Sequence, residues 1–259
     1  MNSSTLVSKI VRTENCANRI YDQHCHPYYE VLFVIKGSVQ LNIEGNTAVL
    51  YENSGIIIEP LKYHIVTGNL TDYHRLILWF EDQDVPEEMR ALFADNAKIS
   101  SVFSSTDLTD LFQRYIKLLE KNDSAYLPLQ NAIFTEIVYA LSLDRRNSLS
   151  LPRSKADNRI KRIIDYVDRN LSKEMRLADI AAAVYMSESA VCHLFKYEMK
   201  TSLKKYIIEK KMMYARSLIQ QGISPGAAAI ACGYKNYASF YKMFCKIAKK
   251  APTEVILQR

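Results

Sequence analysis

Apolar positions follow two different rhythms along the chain. Between residues 28 and 80 they come as short runs broken by turn residues. Val31-Leu32-Phe33-Val34-Ile35 is apolar on both faces, Gly37-Ser38 turns the chain, and Val39, Leu41 and Ile43 then alternate with polar neighbours. A second turn at Glu44-Gly45-Asn46 leads into Ala48-Val49-Leu50-Tyr51, Ile56-Ile57-Ile58 and Leu76-Ile77-Leu78-Trp79-Phe80. Close spacing with tight turns predicts a small antiparallel sandwich or barrel. Two helical stripes follow: Leu108, Leu111, Phe112, Tyr115 and Leu119, then Leu129, Ile133, Ile137 and Leu141. Such a stripe needs a partner, either the sheet or the same helices of a second copy.

The polar stretch Asp144 to Ser154, which contains Pro152, has no sustained apolar period and reads as a linker. Beyond it nearly everything has a helical period. Asp157 is placed to cap a helix with the stripe Ile160, Ile163, Ile164 and Val167. A short helix, Leu177 to Val184, meets a turn at Tyr185-Met186, and Ser187 sits where the N-cap of the next helix belongs. That helix turns Val191, Leu194, Phe195 and Met199 inward and leaves Glu188, Ser189, Cys192, His193 and Lys196 outward. A long helix, Ser202 to Gln221, has Leu203, Tyr206, Ile207, Leu218 and Ile219 on its inner side and ends at Gly222. The pattern then recurs. Ser224-Pro225 starts a helix through Ala227-Ala228-Ala229-Ile230-Ala231, Cys232-Gly233-Tyr234 turns, and Asn236 caps a helix with Phe240, Phe244 and Ile247 inside. Tyr237, Ala238, Tyr241, Lys242 and Lys246 face outward. Phe195 and Phe244 are equivalent positions 49 residues apart, the mark of an internal duplication.

Charge separates the same two halves. Residues 1–150 carry 13 Lys/Arg against 19 Asp/Glu, a net −6, whereas residues 151–259 carry 21 against 9, a net +12. On charge alone the basic half points either to a polyanion partner or to a solvated basic surface. Paired helix-turn-helix units in that half, joined by a helix of about 27 Å at 1.5 Å per residue, can approach the ~34 Å spacing of successive major grooves. Double-stranded DNA is therefore the expected partner. The longest apolar run, Ile180 to Met186, is too short for the ~18 residues that cross a bilayer. The first residues lack the basic-then-apolar pattern of a secretory signal. Five scattered cysteines without a Cys-x-x-Cys pair fit free thiols in a reducing compartment, so a cytoplasmic protein is expected. No phosphate-cradling glycine loop, nucleophile triad or paired acid/base carboxylates are present, and no enzymatic activity or cofactor is expected.

Candidate small-molecule chemistry sits in the first half. His24-Cys25-His26-Pro27-Tyr28-Tyr29-Glu30, with Gly37, Gly55, Pro60 and His64, resembles the two signature motifs of the cupin fold, whose three histidines and glutamate hold a metal. His24 and His26 would share one strand face, as would Glu30 unless Pro27 bulges the strand. Pro60 is followed by Leu61-Lys62-Tyr63 and lacks the glycine of the metal-binding pattern. Contact with an organic effector, simple packing, and a metal-dependent enzyme or sensor using His24, His26, Glu30 and His64 are the alternatives. Trp79, Tyr28, Tyr29, Phe33 and Tyr63 could line a sugar-binding wall or form plain core.

Residues 159–257 resemble the DNA-binding domain of the AraC/XylS transcription regulators, through Asp179-Ile180-Ala181, Ser187 with Leu194-Phe195-Lys196, Ala215-Arg216, Ile223, Gly233-Tyr234, Phe240, Phe244 and Pro252. The first half is similar to that family's cupin-like sensor followed by two helices. The resemblance implies an α+β protein: residues 1–150 a cupin-like effector-binding and dimerisation domain, residues 151–259 an all-α DNA-binding domain. It implies a homodimeric regulator, commonly an activator that meets RNA polymerase, answering to a sugar or other small metabolite held near His24, His26, Glu30, His64 and Trp79. Base-facing positions carry over to Ser189, Cys192 and His193, and to Tyr237, Ala238, Tyr241 and Lys242; Ser187, Lys196, Asn236 and Lys246 complete the expected DNA-facing set. The family's usual glycines are Tyr185, Lys200 and Lys249 here, and its linker-helix arginine is Lys211, which implies a lysine-reinforced, salt-sensitive grip. An adaptor whose helices bind only protein is the remaining class.

Overall fold

A computed structural model describes residues 7–13, 23–67, 72–81, 84–89, 101–147 and 158–256. The chain divides into two compact units, one built on Tyr28–Arg153 and the other on Ser154–Arg259.

The first unit contains strands β1 (Val7–Thr13), β2 (Tyr29–Lys36), β3 (Ser38–Ile43), β4 (Asn46–Tyr51), β5 (Gly55–Ile58), β6 (His64–Thr67), β7 (Tyr73–Phe80) and β8 (Ser101–Phe103). They form two antiparallel sheets, β1-β7-β2-β5-β8 and β4-β3-β6. The expected antiparallel sandwich or barrel is present as two sheets, and no closing ladder joins them among the described residues. Leu32, Val34, Leu41, Leu50, Ile56 and Ile58 belong to one core shared by both sheets. The β3–β4 hairpin turns through Glu44 and Gly45, both at positive φ (49° and 86°), the two-residue geometry that matches strand twist.

β2 is apolar on both faces because both are covered. Leu32 and Val34 face the second sheet, while Tyr29, Val31 and Phe33 join a separate core with helices α1 (Thr106–Glu120) and α2 (Leu127–Asn147). Phe33 stacks on Phe112 at 4.6 Å, and Phe80 meets Phe134 edge-on at 5.5 Å. Ser105 caps α1, its Oγ accepting the Leu108 N–H at 3.4 Å. The α2 stripe holds at Ile133, Ile137 and Leu141, but Leu129 is 47% exposed. Each four-residue step overshoots a helical turn by about 40°, which carries Leu129 about 120° from Leu141. Helix α2 also runs to Asn147, so the first four residues of the expected linker are helical.

The second unit is wholly helical among its described residues: α3 (Asn158–Arg169), α4 (Leu177–Ala183), α5 (Glu188–Met199), α6 (Leu203–Gln220), α7 (Pro225–Ala231), α8 (Tyr237–Ala248) and α9 (Pro252–Ile256). The expected cap Asp157 lies outside the described residues. Ile160, Ile163, Ile164 and Val167 are buried on α3 as the stripe requires. On α6 the inner side is Leu203, Tyr206, Met212, Met213, Ala215 and Ile219, whereas Ile207 and Leu218 are only half-buried.

Candidate nucleic-acid interface and effector site

The first helix-turn-helix is built from local caps. Asp179 Oδ2 accepts the Arg176 N–H at 3.3 Å and closes the first turn of α4, which buries Ile180 and Ala181. At the turn, Tyr185 adopts φ 56°, a left-handed conformation that costs a non-glycine residue roughly 1–2 kcal/mol. Arg162 of α3 braces this turn: its guanidinium lies 5.3 Å from the Tyr185 ring and donates to Ala183 O at 3.2 Å. Ser187 Oγ then accepts the Ala190 N–H at 3.2 Å and starts α5. Val191, Phe195 and Met199 face inward, with Phe195 edge-on to Tyr206 at 5.0 Å, while Leu194 is half-buried. Ser187, Ser189, Cys192, His193 and Lys196 are all exposed.

The second motif repeats this construction. Ser224 Oγ accepts the Ala227 N–H at 3.3 Å, Pro225 opens α7, and Ala228 and Ala229 are buried. Asn236 Oδ1 accepts the Ser239 N–H at 3.1 Å and starts α8. Phe240 and Phe244 are fully buried, Ile247 half-buried, and Tyr234 meets Phe240 edge-on at 5.6 Å. Asn236, Tyr237, Ala238, Tyr241, Lys242 and Lys246 are exposed. Lys200 and Lys249, which end α5 and α8, take φ 53° and 57° in place of glycine. Each motif therefore presents one capped helix with a buried phenylalanine and a polar outer face. Lys211 departs from expectation: it is 7% exposed and donates to two main-chain carbonyls inside the unit.

One suitable ligand atom from each of His24, His26, Glu30 and His64 lies within 4.8 Å of the others. The assembly is not the strand face that side-chain alternation predicted. Residues 23–28 form no strand, and His24 reaches His64 through an isolated antiparallel bridge, with N–H···O distances of 3.1 and 2.9 Å. Their rings lie 4.6 Å apart. Pro27 stands in the bend before β2, which begins at Tyr29. The Trp79 indole donates to Glu30 Oε2 at 2.7 Å, and the Tyr28 ring lies 5.9 Å from Trp79. His64 Nδ1 lies 2.9 Å from Lys62 O, while Nε2 stands 3.8 Å from Glu30 Oε2. Leu61 occupies φ 66°, a left-handed position in the segment where the metal-binding pattern keeps glycine. Lys62 pairs with Glu44 at 2.9 Å and fastens this loop to the β3–β4 hairpin.

Of the aromatic wall, Trp79 and Tyr28 adjoin this cluster, whereas Tyr29 and Phe33 point to the opposite face, into the core shared with α1 and α2. Sequence reasoning missed Arg75. It pairs in register with Val34 as Trp79 pairs with Glu30, so it shares their face of the sheet, buried, with its guanidinium 5.5 Å from the Tyr73 ring. The signal was present: a lone arginine at alternate spacing within an apolar strand.

Residues 8–138 match the family model of the AraC-like ligand-binding domain, and residues 180–258 match a helix-turn-helix domain model. The probable transcriptional regulator LumQ of Photobacterium leiognathi is 22% identical over 89% of this chain and 90% of its own length. An uncharacterized helix-turn-helix regulator of Escherichia coli, YdiP, is 23% identical over 87% of this chain and 77% of its own. The crystal structure of ToxT from Vibrio cholerae aligns over 98% of both chains at 13% identity, with a TM-score of 0.43. The two matched models cover both units, and the chain belongs to the AraC/XylS family of transcription regulators, with a ligand-binding domain followed by a helix-turn-helix DNA-binding domain.

Proposed function

We propose that the protein is a sequence-specific, operator-binding transcription activator that acts in the cytoplasm under the control of a sugar or other small metabolite. The carrying observation is the pair of capped, outward-facing helices α5 and α8, built alike around Phe195 and Phe244. In this reading Ser189, Cys192 and His193 read one major-groove segment, and Tyr237, Ala238, Tyr241 and Lys242 read the next. Lys196 and Lys246 contact phosphate, and the N-termini capped by Ser187 and Asn236 face the backbone. The effector contacts His24, His26, Glu30, His64 and Trp79. Residues 1–150 also make the homodimer, through the face of α2 that exposes Leu129, Tyr139 and Leu143. RNA polymerase is the partner at the promoter. Selection of bound sequences from a random double-stranded pool by the full chain tests the DNA assignment. Enrichment of two short segments about one helical turn apart is expected; a pool that stays random overturns it.

A second reading follows from the gathering of three imidazoles and one carboxylate. That donor set suits zinc, iron or manganese, and the Lys62 carbonyl beside His64 Nδ1 would orient this ring as a ligand. His24, His26, Glu30 and His64 would hold the ion, which would make the regulator metal-responsive. Titration of each ion against Trp79 fluorescence, in the wild type and in His64→Ala, separates the readings. A saturable change lost in the variant favours the metal, and no change in the wild type rejects it.

A further inference from the structure

The linker helix α6 buries two adjacent lysines. Lys210 is 1% exposed and Lys211 7% exposed, although a lysine on a helix ordinarily keeps its ammonium in water. Lys210 Nζ donates to Asp168 Oδ1 near the end of α3 at 2.5 Å and lies 5.0 Å from the Tyr206 ring centre. Lys211 Nζ donates to Lys173 O at 2.5 Å and to Cys232 O at 2.8 Å. The first carbonyl belongs to the loop that leads into the first helix-turn-helix, and the second to the turn of the other. One ammonium is thus shared by both motifs. Burial holds its pKa below the usual lysine value, with Glu174 and Cys232 acting in the opposite direction.

Other features place the same two segments side by side. A Cβ on Gly233 would stand 2.8 Å from Glu174 N, so the second turn touches the first loop main chain to main chain. Lys235 pairs with Glu174 at 2.9 Å across the same seam. Apolar packing does not fill this region. Helix α6 packs most closely on α7, α8 and α9, and a cavity of about 410 Å³ opens between Leu177 and Ile180 on one side and Ile207, Ile208 and Tyr234 on the other. Beside apolar contacts such as Phe195 on Tyr206, polar bridges of fixed geometry therefore join the first motif to the rest of the unit. Buried charges are a poor source of stability, and their best-attested use is to fix one register.

We propose that Lys210 and Lys211 are positioning residues: together they set the separation and relative orientation of α5 and α8, and hence the spacing between DNA segments that the protein accepts. This rests on the reading of α5 and α8 as a pair that contacts one duplex. It adds that discrimination between operator spacings is located in two side chains that touch no DNA.

The test uses the full chain and the operator obtained by selection with the wild type, together with the same operator carrying one or two base pairs inserted between the two protected segments. Each inserted pair rotates the segments by about 34° and separates them by about 3.4 Å. The wild type is expected to lose about 30-fold in affinity on a single insertion, within the range of a lost base contact or two. Lys211→Met is expected to bind the selected operator about tenfold more weakly and to lose no more than about threefold further on insertion. Lys211→Arg, which keeps donors for both carbonyls, should restore the wild-type profile. Asp168→Asn weakens the Lys210 bridge without altering α6 and carries the test if Lys211→Met does not fold. Full spacing discrimination in the folded variants, or an equal loss at every spacing, overturns the proposal. A wild-type footprint confined to one segment instead sinks the paired reading beneath it, and the positioning role with it.

Discussion

Gly233→Ala probes a close main-chain approach between the turn of the second helix-turn-helix and the loop that leads into the first. Gly233 adopts φ +78°, and an added Cβ would meet Glu174 N at 2.8 Å, Lys173 C at 2.9 Å and Lys173 O at 3.1 Å. All three are main-chain atoms, so no flexible side chain can swing aside. The left-handed conformation costs an alanine about 1 kcal/mol, and forcing a carbon into filled space costs roughly 1–3 kcal/mol. The C-terminal unit is therefore expected to lose about 2–4 kcal/mol, and at roughly 4–8 °C per kcal/mol its midpoint should fall by about 10–30 °C. Two signals separate the units in the intact chain. The single tryptophan, Trp79, lies on β7 of the first unit, whereas helical ellipticity comes mostly from the second. Thermal melts followed by both signals should show the ellipticity transition moved down. A shift of that transition worth less than about 0.5 kcal/mol, the ordinary scatter of an unstrained surface change, would refute the reasoning.

Phe195→Ala and Phe244→Ala each remove a fully buried ring from equivalent positions, and each should cost about 3–5 kcal/mol in urea unfolding; a cost under about 1 kcal/mol at either site contradicts the duplication. Lys196→Ala should lower the slope of log affinity against log salt by about one, whatever the DNA sequence. An unchanged slope would remove Lys196 from the phosphate contacts. Burial pushes the Cys232 thiol up to about 11, from 9.0 when exposed, with Lys211 partly opposing. The folded state thus retains a proton that the unfolded state gives up, so this thiol's contribution falls as pH rises from about 9 to 11, by about 2–3 kcal/mol at the top. Comparison of wild type and Cys232→Ala melts across that window checks it, and parallel pH profiles would count against it.

Residues with a strong local signal were legible in the sequence. Ser187, Ser202, Ser224 and Asn236 each cap a helix through their own side chain, because a capping oxygen needs only the N–H groups of the next turn. The linker helix came out with both ends in place for this reason. Features that depend on tertiary neighbours were not legible. Nothing local says that Lys210 and Lys211 turn inward, since the Asp168 carboxylate and the Lys173 and Cys232 carbonyls that they satisfy lie 42, 38 and 21 residues away in the chain. Tyr29 and Phe33 alternate with Glu30 and Leu32, so their face was fixed only once helices covered it. The histidines and Glu30 come together by a bend and a bridge rather than on the strand face that alternation predicted, and Pro27, which has no N–H to give a ladder, stands in that bend.

Lys200 and Lys249 hold a backbone shape that glycine would accept without strain, in the basic half of the chain. A screen for heat resistance alone should therefore favour Lys200→Gly and Lys249→Gly, each relieving about 1 kcal/mol. The same changes would strip two cations from the ends of α5 and α8. Hardiness and grip are set against each other at these two positions, so improved variants found by heating should prove the poorer regulators.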